Sequence, residues 1–416
     1  VCYEEGHHGG DNDPVIEGNT LVKWDAVGDV VVPNNVKHIA DYAFMGSKLT
    51  GLTISAQVET IGVLPFMYCG QLKKLEVDAA NPHFKSVENA VYSKDGKELV
   101  QVATVYPKEV FTLPASVEKV RTGAFTFAMS IKKIEGSNDF FETVDGMLIR
   151  KADRALMHYP SFVQQGQAAK PIKLPSDIKK IERYAFAFNF VPQELVLPES
   201  LEVLEDYAFN GAANIVKLKI DHCKALKRIG NFCFKGCFRL ASFDLPKEGV
   251  TFIGEQALQG TAIASLNIPM NVQIGANAFR GCQSIANVFS FNTLPPVLDD
   301  LAFSDIAEIE QATLHVPFGT KAVYSQAPGW KIFTNIVEED LLSVDEVALD
   351  NVLFTTQGET LSISGLNSAH VLVYDLEGKM LVEANAHEAI SLNLGRGHYI
   401  VVVSQEGKRA VKKIAL

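Results

Sequence analysis

The chain contains 416 residues, of which 47% are hydrophobic and 21% charged, and its formal net charge is −11. A chain of this length can bury a large core. The chain has more acidic than basic residues, and no cluster of basic residues stands out along it. This argues against nucleic acids and anionic membranes as partners. No apolar run approaches the ~18 residues that a membrane-spanning helix needs, so the sequence predicts no membrane span.

The first 14 residues are rich in glycine and contain the densest group of potential metal ligands in the chain. These are His7, His8, Asp11 and Asp13. Imidazole and carboxylate groups can hold zinc or another transition ion, but only where a framework fixes their geometry. Because a glycine-rich terminus supplies no such framework, residues 1–14 are predicted to be a flexible arm without a metal.

A short phrase then recurs nine times, an apolar residue followed five positions later by an anchor that is Phe in eight cases. The anchors are Phe44, Phe66, Phe125, Phe186, Phe209, Phe234, Leu258, Phe279 and Phe303. Consecutive anchors lie 21–25 residues apart, except for two intervals of 59 and 61 residues. Self-similarity at this period predicts a leucine-rich repeat solenoid over residues 15–338.

Between the phrases lies a second pattern, apolar-x-x-apolar-x-apolar, as in Leu49-x-x-Leu52-x-Ile54. Its last three positions alternate, which is the period of a strand with one buried face. Stacked coils would join these strands into a parallel sheet, with short helices or turns between them and a right-handed superhelical path. Proline often follows the strand, where it ends the pairing.

The two long intervals predict coils with inserts, near residues 81–107 and 138–160. Alternating apolar residues around Asp95-Gly96 predict a hairpin, because this dipeptide supplies the positive φ of a tight turn. Two inserts of the same design would protrude from one edge of the solenoid.

The repeat ends in a segment near 316–338 that we expect to be a cap, with Tyr324, Trp330 and Phe333 covering the last coil. Residues 341–416 then change to alternating strands and predict a small all-β sandwich. The predicted strands are Thr360–Ser364, His370–Tyr374, Met380–Glu383, Ile390–Leu394, Tyr399–Ser404 and Ala410–Ala415.

Three of the six cysteines, Cys69, Cys237 and Cys282, lie three residues after an anchor, where other coils have Ser, Ala or Asn. This position is therefore a slot for a small residue, and buried thiols are expected there. Cys223 and Cys233 stay open as an alternative disulfide pair.

Residues 15–338 resemble the BspA-like leucine-rich repeat proteins of bacterial surfaces. The phrase Ile-Gly-x-x-Ala-Phe-x-Gly-Cys-x-x-Leu carries the resemblance and is most complete from Ile274 to Ile285. The ending from Val316 to Trp330 is also typical of the family. The resemblance implies export, a location outside the cell and a role in adhesion or recognition, and it supplies no catalytic residues or cofactor.

The tail is similar to the C-terminal sorting domains of type IX secretion. The matching segments run from Val371 to Lys379 and from Leu394 to Val401, with the basic ending Lys412-Lys413. This resemblance implies that the tail is a second indication of export to the cell exterior.

Few combinations of residues in this sequence resemble a catalytic site. His222-Cys223 has the residue types of a nucleophile and its base, but neighbours on a strand point to opposite faces. Asp299-Asp300 and Glu308-x-Glu310 are expected to be solvated acids rather than a glycosidase pair. The sequence therefore predicts no enzyme, no cofactor and no metal.

The outward residue of each strand can be read from the alternation. The predicted binding row is Thr53, Glu76, Glu135, Val196, Lys219, Asp244, Asn267 and His315. It is mixed and polar, without the aromatic ladder that favours sugars, which favours a protein or peptide partner over a broad area. The hypothesis is an exported, non-enzymatic adhesion protein of a bacterial surface. The alternatives are a glycan-binding accessory protein and a face that is merely solvated.

Overall fold

The computed structural model describes residues 12–161, 171–341, 349, 351–406 and 408–416. The chain divides into two compact units, Val1–Phe243 with Phe252–Ala262 and Asp244–Thr251 with Ile263–Leu416. Each unit is described by itself below.

The described part of the first unit consists of short strands joined by turns. The strands are β1 (Val15–Glu17), β2 (Thr20–Lys23), β3 (Val27–Val31), β4 (His38–Ile39), β5 (Lys48–Ile54), β6 (Thr60–Ile61), β7 (Lys74–Val77), β8 (Phe84–Val87), β9 (Ala90–Ser93), β10 (Glu98–Val102), β11 (Val110–Thr112), β12 (Lys119–Val120), β13 (Lys133–Glu135), β14 (Phe141–Val144), β15 (Met147–Arg150), β16 (Ala155–His158), β17 (Ile172–Lys173), β18 (Lys180–Ile181), β19 (Glu194–Val196), β20 (Val203–Leu204), β21 (Lys217–Lys219), β22 (Arg228–Ile229), β23 (Ser242–Phe243) and β24 (Phe252–Ile253).

The alternating pattern forms one set of parallel sheets, ordered β3-β5-β7, β11-β13 and β17-β19-β21-β23. The register places Leu195, Leu218 and Phe243 in one row, and all three are buried. A strand of three residues buries too little surface to be stable alone, so each coil depends on the next. The predicted solenoid of parallel coils is confirmed.

The first residues of the phrases form a second set of parallel strands, with β16, β18, β20, β22 and β24 side by side. Their inward residues make a continuous buried row, Leu156, Ile181, Leu204, Ile229 and Ile253. The core therefore lies between the two sets of strands.

The anchor rings stack from coil to coil inside this core. Tyr159 of the second insert and the anchors Phe186, Phe209 and Phe234 have ring centroids 4.8, 4.7 and 5.1 Å apart in that order. These distances match the spacing of hydrogen-bonded strands, about 4.8 Å. One anchor per coil thus produces a column of stacked rings.

The glycine four residues before several anchors makes room for a hydrogen bond between coils. A Cβ on Gly230 would lie 2.4 Å from the backbone nitrogen of Asp206 and 2.6 Å from its Oδ1. Asp206 Oδ1 accepts a hydrogen bond from the backbone N–H of Asn231 at 2.7 Å. Asn231 repeats the arrangement for Glu255, at 2.8 Å. The glycine of the phrase is therefore required by packing between turns.

The two inserts belong to the sheets and do not protrude. Around Asp95-Gly96, β9 pairs antiparallel with β10, which then pairs parallel with β12. In the second insert β14, β15 and β16 form the same arrangement, and β16 pairs parallel with β18. The predicted hairpin around Asp95-Gly96 is confirmed. The expectation that the inserts protrude is wrong, because residues such as Leu99 and Leu148 are fully buried in the core.

The cysteines of the small-residue slot are buried thiols that donate to the neighbouring coil. Cys69 Sγ lies 2.9 Å from the carbonyl oxygen of Phe44, and Cys237 Sγ lies 3.1 Å from that of Phe209. The described cysteines are all buried as thiols, including Cys223 and Cys233, which are not joined. Burial raises the pKa of the Cys69 and Cys237 thiols.

The described part of the second unit begins with further coils and ends with longer antiparallel strands. Its elements are β25 (Ser265–Ile268), β26 (Gln273–Ile274), β27 (Asn287–Ser290), a 3-10 turn (Ile309–Gln311), β28 (Thr313–Pro317), α1 (Lys321–Gln326), β29 (Asn335–Glu339), β30 (Leu353–Gln357), β31 (Thr360–Asp375), β32 (Met380–Asn393), β33 (His398–Gln405) and β34 (Lys408–Ala415).

The segment after β28 covers the end of the coils, as its aromatic residues predict. Tyr324 in α1 is fully buried, and its hydroxyl donates to the carbonyl oxygen of Asn292 at 2.7 Å. The fully buried Trp330 donates from Nε1 to the carbonyl oxygen of Pro296, also at 2.7 Å. The ring of Phe333 packs edge-on against Phe303, the last anchor, at 4.9 Å.

The C-terminal region is all-β, as predicted, and forms a curled antiparallel sheet ordered β30-β31-β33-β34, with β32 also paired to β31. Two pairs of predicted strands are single long strands here. β31 includes both 360–364 and 370–374, with register shifts near Gly365 and Ser368, where φ is positive. The sheet packs on the cap, since the rings of Phe318 and Tyr374 stack 5.8 Å apart.

Candidate functional site

Within the first unit, the sheet register places several members of the predicted binding row next to each other. Thr53 pairs directly with Glu76, and Val196 pairs with Lys219. Glu135 lies beside Thr112 of β11 in a separate pair of strands. Glu76, Glu135 and Lys219 are exposed, whereas Thr53 and Val196 are half-buried. The row is thus present as short segments within each sheet.

Ion pairs run along these segments. The Nζ atom of Lys74 lies 3.2 Å from Asp29 and 3.9 Å from Glu76, and Lys133 lies 2.8 Å from Glu135. All of these side chains are more than 40% exposed. Such pairs contribute only about 0–1 kcal/mol each, so a partner can exchange them at low cost.

In the second unit the register forms a longer row, Asn267, Phe289, His315 and Val337. The Phe289 and His315 rings stack with centroids 4.1 Å apart. His315 is held from both sides, with Nδ1 2.7 Å from Glu339 Oε1 and Nε2 2.8 Å from Asn287 Oδ1. Asp244, the remaining predicted residue, is exposed and lies outside the strands.

Sequence reasoning missed Phe289 and therefore described the row as free of aromatic rings. The strand of Phe289 ends in a buried serine, Ser290, where the pattern expects an aliphatic residue. The alternation itself was the available signal, because Val288 is buried and its neighbour must face outward.

His222 and Cys223 do not form a nucleophilic pair. They lie in a turn rather than on a strand, which corrects the basis of the prediction, and Sγ is 3.9 Å from Nε2. That nitrogen lies 2.5 Å from the carbonyl oxygen of Leu197. Burial raises the pKa of the Cys223 thiol to about 12, so the thiolate is scarce at neutral pH.

The two acidic groups of the sequence analysis, Asp299-Asp300 and Glu308-x-Glu310, have different surroundings. Asp299 accepts hydrogen bonds from the backbone N–H of Asn277 at 3.2 and 3.3 Å, which is a coil-to-coil contact. Glu308 and Glu310 lie exposed at the 3-10 turn. In the described part of the chain, no three His, Cys, Asp or Glu side chains gather as a metal site. His7, His8 and Asp11 lie outside the described residues.

The described residues also contain no helix with the length and apolar character that a membrane crossing requires.

A family model described as the BspA type leucine-rich repeat region matches the sequence in six copies, over residues 16–101 and 160–316. These segments make up more than half of the chain. No curated protein matches the sequence.

Solved structures of repeat proteins are similar to the chain. The pneumococcal vaccine antigen PcpA is 20% identical, with 76% of this chain and 80% of that chain covered and a TM-score of 0.44. A leucine-rich cell surface protein of Faecalibacterium prausnitzii is 16% identical, with coverage of 79% and 98% and a TM-score of 0.38. A leucine-rich repeat protein of Eubacterium ventriosum is 16% identical, with coverage of 82% and 96% and a TM-score of 0.44.

Proposed function

The chain belongs to the BspA type leucine-rich repeat family, and from this premise we propose that it is a non-enzymatic adhesion protein of a bacterial surface. Its outward strand residues would recognise a protein of a host, a matrix or a neighbouring cell. A solenoid offers area rather than one deep pocket, which suits binding over a broad surface.

The observation that carries the proposal is the continuity of the outward rows. Direct register pairing puts Val31, Thr53 and Glu76 in one line and Lys173, Val196 and Lys219 in another. These rows mix exposed aliphatic, hydroxyl and charged groups, for example Val31 with 60% exposure. Such a mixture is typical of non-obligate protein interfaces.

The stacked pair of Phe289 and His315 is a candidate binding hot spot on the corresponding row of the second unit. Glu339 and Asn287 hold the imidazole in place, so little side-chain entropy is lost when a partner covers it. Rigid aromatic groups surrounded by polar ones are the usual hot spots of interfaces.

The location outside the cell and the sorting role of the tail are part of the same proposal. The family resemblance supports the location. A test of sorting by deleting residues 341–416 would also uncover Phe318, because this side chain packs on Tyr374 of the tail. Substitutions at the exposed basic ending, Lys412→Ala and Lys413→Ala, avoid that problem. Unchanged surface display of this variant would argue against a role of that ending in sorting.

The decisive experiment is a binding screen of the full chain against purified matrix and mucosal proteins, beside an array of glycans. The triple variant Glu76→Lys, Glu135→Lys, Asp244→Lys should weaken capture of a protein partner at least tenfold. The matched control reverses the same charge at Glu118, Glu202 and Glu308, which are exposed and lie outside the binding row. Equal losses in both variants would indicate a charge effect without a site, and binding of glycans alone would favour the accessory role in polysaccharide uptake.

A further inference from the structure

The position two residues after the anchor has a left-handed backbone in most coils. Glycine occupies it at Gly46, Gly211, Gly236 and Gly260, with φ between 71° and 82°. Three consecutive phrases instead place Tyr68, Phe127 and Phe188 there, with φ of 61°, 68° and 55°.

For a residue other than glycine, this left-handed conformation costs about 1–2 kcal/mol of conformational energy. Gly281 and Asp305 follow the remaining two anchors, also with positive φ, so the coil geometry does not demand an aromatic ring at the position. Left-handed non-glycine residues also occur two residues before several anchors, for example Tyr184, Tyr207 and Phe232, so the strain by itself marks no site. What sets Tyr68, Phe127 and Phe188 apart is the replacement of the glycine that five other coils have at their position.

The three strained rings meet on the surface although they lie about 60 residues apart in sequence. Tyr68 is 5.2 Å from Phe127 and 5.3 Å from Phe188, and Phe127 stacks on Phe188 at 4.6 Å. Phe188 is buried beneath the others, whereas Tyr68 is 53% exposed. The Tyr68 ring lines two neighbouring cavities, of about 310 and 410 Å³.

The larger cavity is a trough with a glycine floor. Gly211, Gly236 and Gly260 of three successive coils form the floor, and Phe188 closes one end. A Cβ on Gly211 would lie 2.4 Å from the Phe188 ring. The floor spans two coil spacings, roughly 10 Å at the usual separation of strands. The absence of side chains lets a ligand approach the backbone.

The residues around the floor form two chemical sets. The residue before each floor glycine is polar, and these are Asn210, Lys235 and Gln259. The apolar set includes Phe190 and Phe238, which are 47% and 67% exposed.

The polar set has unused hydrogen-bonding capacity. Gln259 Oε1 is withdrawn from solvent, and none of the described residues donates to it. Lys235 forms no ion pair with a described carboxylate, and its Nζ atom lies 5.4 Å from the Phe232 ring centroid. None of the described residues that line the trough is acidic.

We propose that this trough binds a short saccharide, with a preference for sugars that carry a carboxylate. The C–H face of a sugar ring would lie on Tyr68, Phe190 or Phe238, and its hydroxyl groups would bond to the amides of Asn210 and Gln259. Lys235 would pair with the carboxylate. A volume of about 410 Å³ is within the range of pockets that take small ligands, ~300–1,000 Å³.

A purely apolar side chain from a protein would fit the trough less well. It would desolvate Lys235 without giving it a partner and would leave the Oε1 atom of Gln259 unpaired, and burial of unpaired polar groups is unfavourable. A saccharide has an apolar face and a polar edge on one ring, which matches both sets. This site is separate from the binding row and does not rest on the adhesion proposal.

The test probes the full chain with an array of neutral and carboxylated oligosaccharides, and with a peptide array beside it. Phe238→Ala and Gln259→Ala should each reduce the saccharide signal at least tenfold. Lys235→Gln should reduce it at least fivefold for carboxylated sugars and leave neutral ones within twofold. Tyr68→Gly should also reduce the signal, because it removes a ring on which the sugar would lie. The coil should still fold, because glycine is the residue that most other coils have at this position.

The controls are Phe140→Ala and Gln193→Ala, which remove exposed side chains outside the trough and should change nothing. Thermal melting confirms that each variant is folded. The charge reversals at Glu76, Glu135 and Asp244 should leave saccharide binding intact, which separates this site from the adhesion surface. The proposal is overturned if the native chain gives no more saccharide signal than Phe238→Ala. It is also overturned if the trough variants lose binding only on the peptide array.

Discussion

The insert-bearing coils, residues 84–188, and the regular coils, residues 203–262, share the buried anchors but join their turns in different ways. In the regular coils, Gly230 leaves room for the hydrogen bond between Asp206 and Asn231. The insert-bearing coils have Arg121 and Glu182 at the position of that glycine. The anchor therefore fixes the coil, whereas the contacts between turns can be exchanged.

A partly buried set of ion pairs joins the turns in the insert-bearing coils. Arg150 lies 2.7 Å from both Asp153 and Glu182, and Glu182 is buried. The hydrogen bond from Arg150 lowers the pKa of Asp153 below its ordinary value. The regular coils also contain an ion pair between turns, with Arg228 3.0 Å from Asp206, but Asp206 is half-buried whereas Glu182 is buried.

The largest expected effect tests what the two regions share. Phe125→Ala and Phe209→Ala each remove a buried ring, and each should lower the free energy of unfolding by about 3–5 kcal/mol. Chemical denaturation measures the loss, and Phe140→Ala, on an exposed ring, is the control. A much smaller loss at Phe125 would mean that the inserts loosen their coils.

A substitution at the glycine tests what the two regions do not share. Gly230→Ala places a Cβ within 2.6 Å of Asp206 and should lower the free energy of unfolding by about 3 kcal/mol. Gly70→Ala, in the coil that leads into the first insert, meets nothing within 4 Å and should be nearly neutral. Equal effects of the two variants in thermal or chemical melting would contradict the packing role of Gly230.

The pH dependence of stability should come more from the insert-bearing coils. His158 of β16 is buried against Phe125, and burial lowers its pKa from 6.5 to about 3. The unfolded chain therefore binds a proton below pH 6.5 that the folded chain excludes. This contribution to stability is complete above that pH and is lost as the pH falls.

Between pH 7.5 and pH 5 the loss from His158 should be about 2 kcal/mol. His158→Phe keeps a ring in place and removes the titration, so its stability should fall less than that of the native chain over the same interval. Denaturation curves at both values measure the difference. Parallel pH dependence of the two proteins would show that His158 is not the cause.

The smallest effect is expected at the strained aromatic position. Tyr68→Gly relieves the left-handed strain, about 1–2 kcal/mol, and loses ring contacts of similar size. The net change in stability should be within about 0.5 kcal/mol, even though saccharide binding is reduced. A large destabilisation would instead make the aromatic cluster a structural element of the insert-bearing coils.

The repeat was predictable because each coil must bury the same few residues. The anchors, the inward strand residues and the small slot of Cys69 all follow from the spacing. The role of the inserts was not predictable from local alternation, because that pattern does not say whether Leu99 faces a neighbour or solvent. The column of stacked anchors, such as Phe186 on Phe209, depends on register between coils.

The candidate sites were harder to predict than the fold. Phe289 was hidden by the serine that follows it in a position where the pattern expects an aliphatic residue. The trough could not be predicted from the sequence, because Tyr68 and Phe188 are far apart along the chain and come into contact only when the coils stack. Sequence alternation gives the face of a residue, but it does not give the distant residues that share that face.

The buried cysteines determine how the coils respond to oxidants and reductants. Cys69, Cys223 and Cys237 are enclosed thiols with raised pKa values, and a protonated sulfur reacts slowly with oxidants and alkylating agents. The coils that contain them should therefore keep their shape in oxidising and in reducing solution. A molecule built in this way tolerates a change of surroundings without chemical repair.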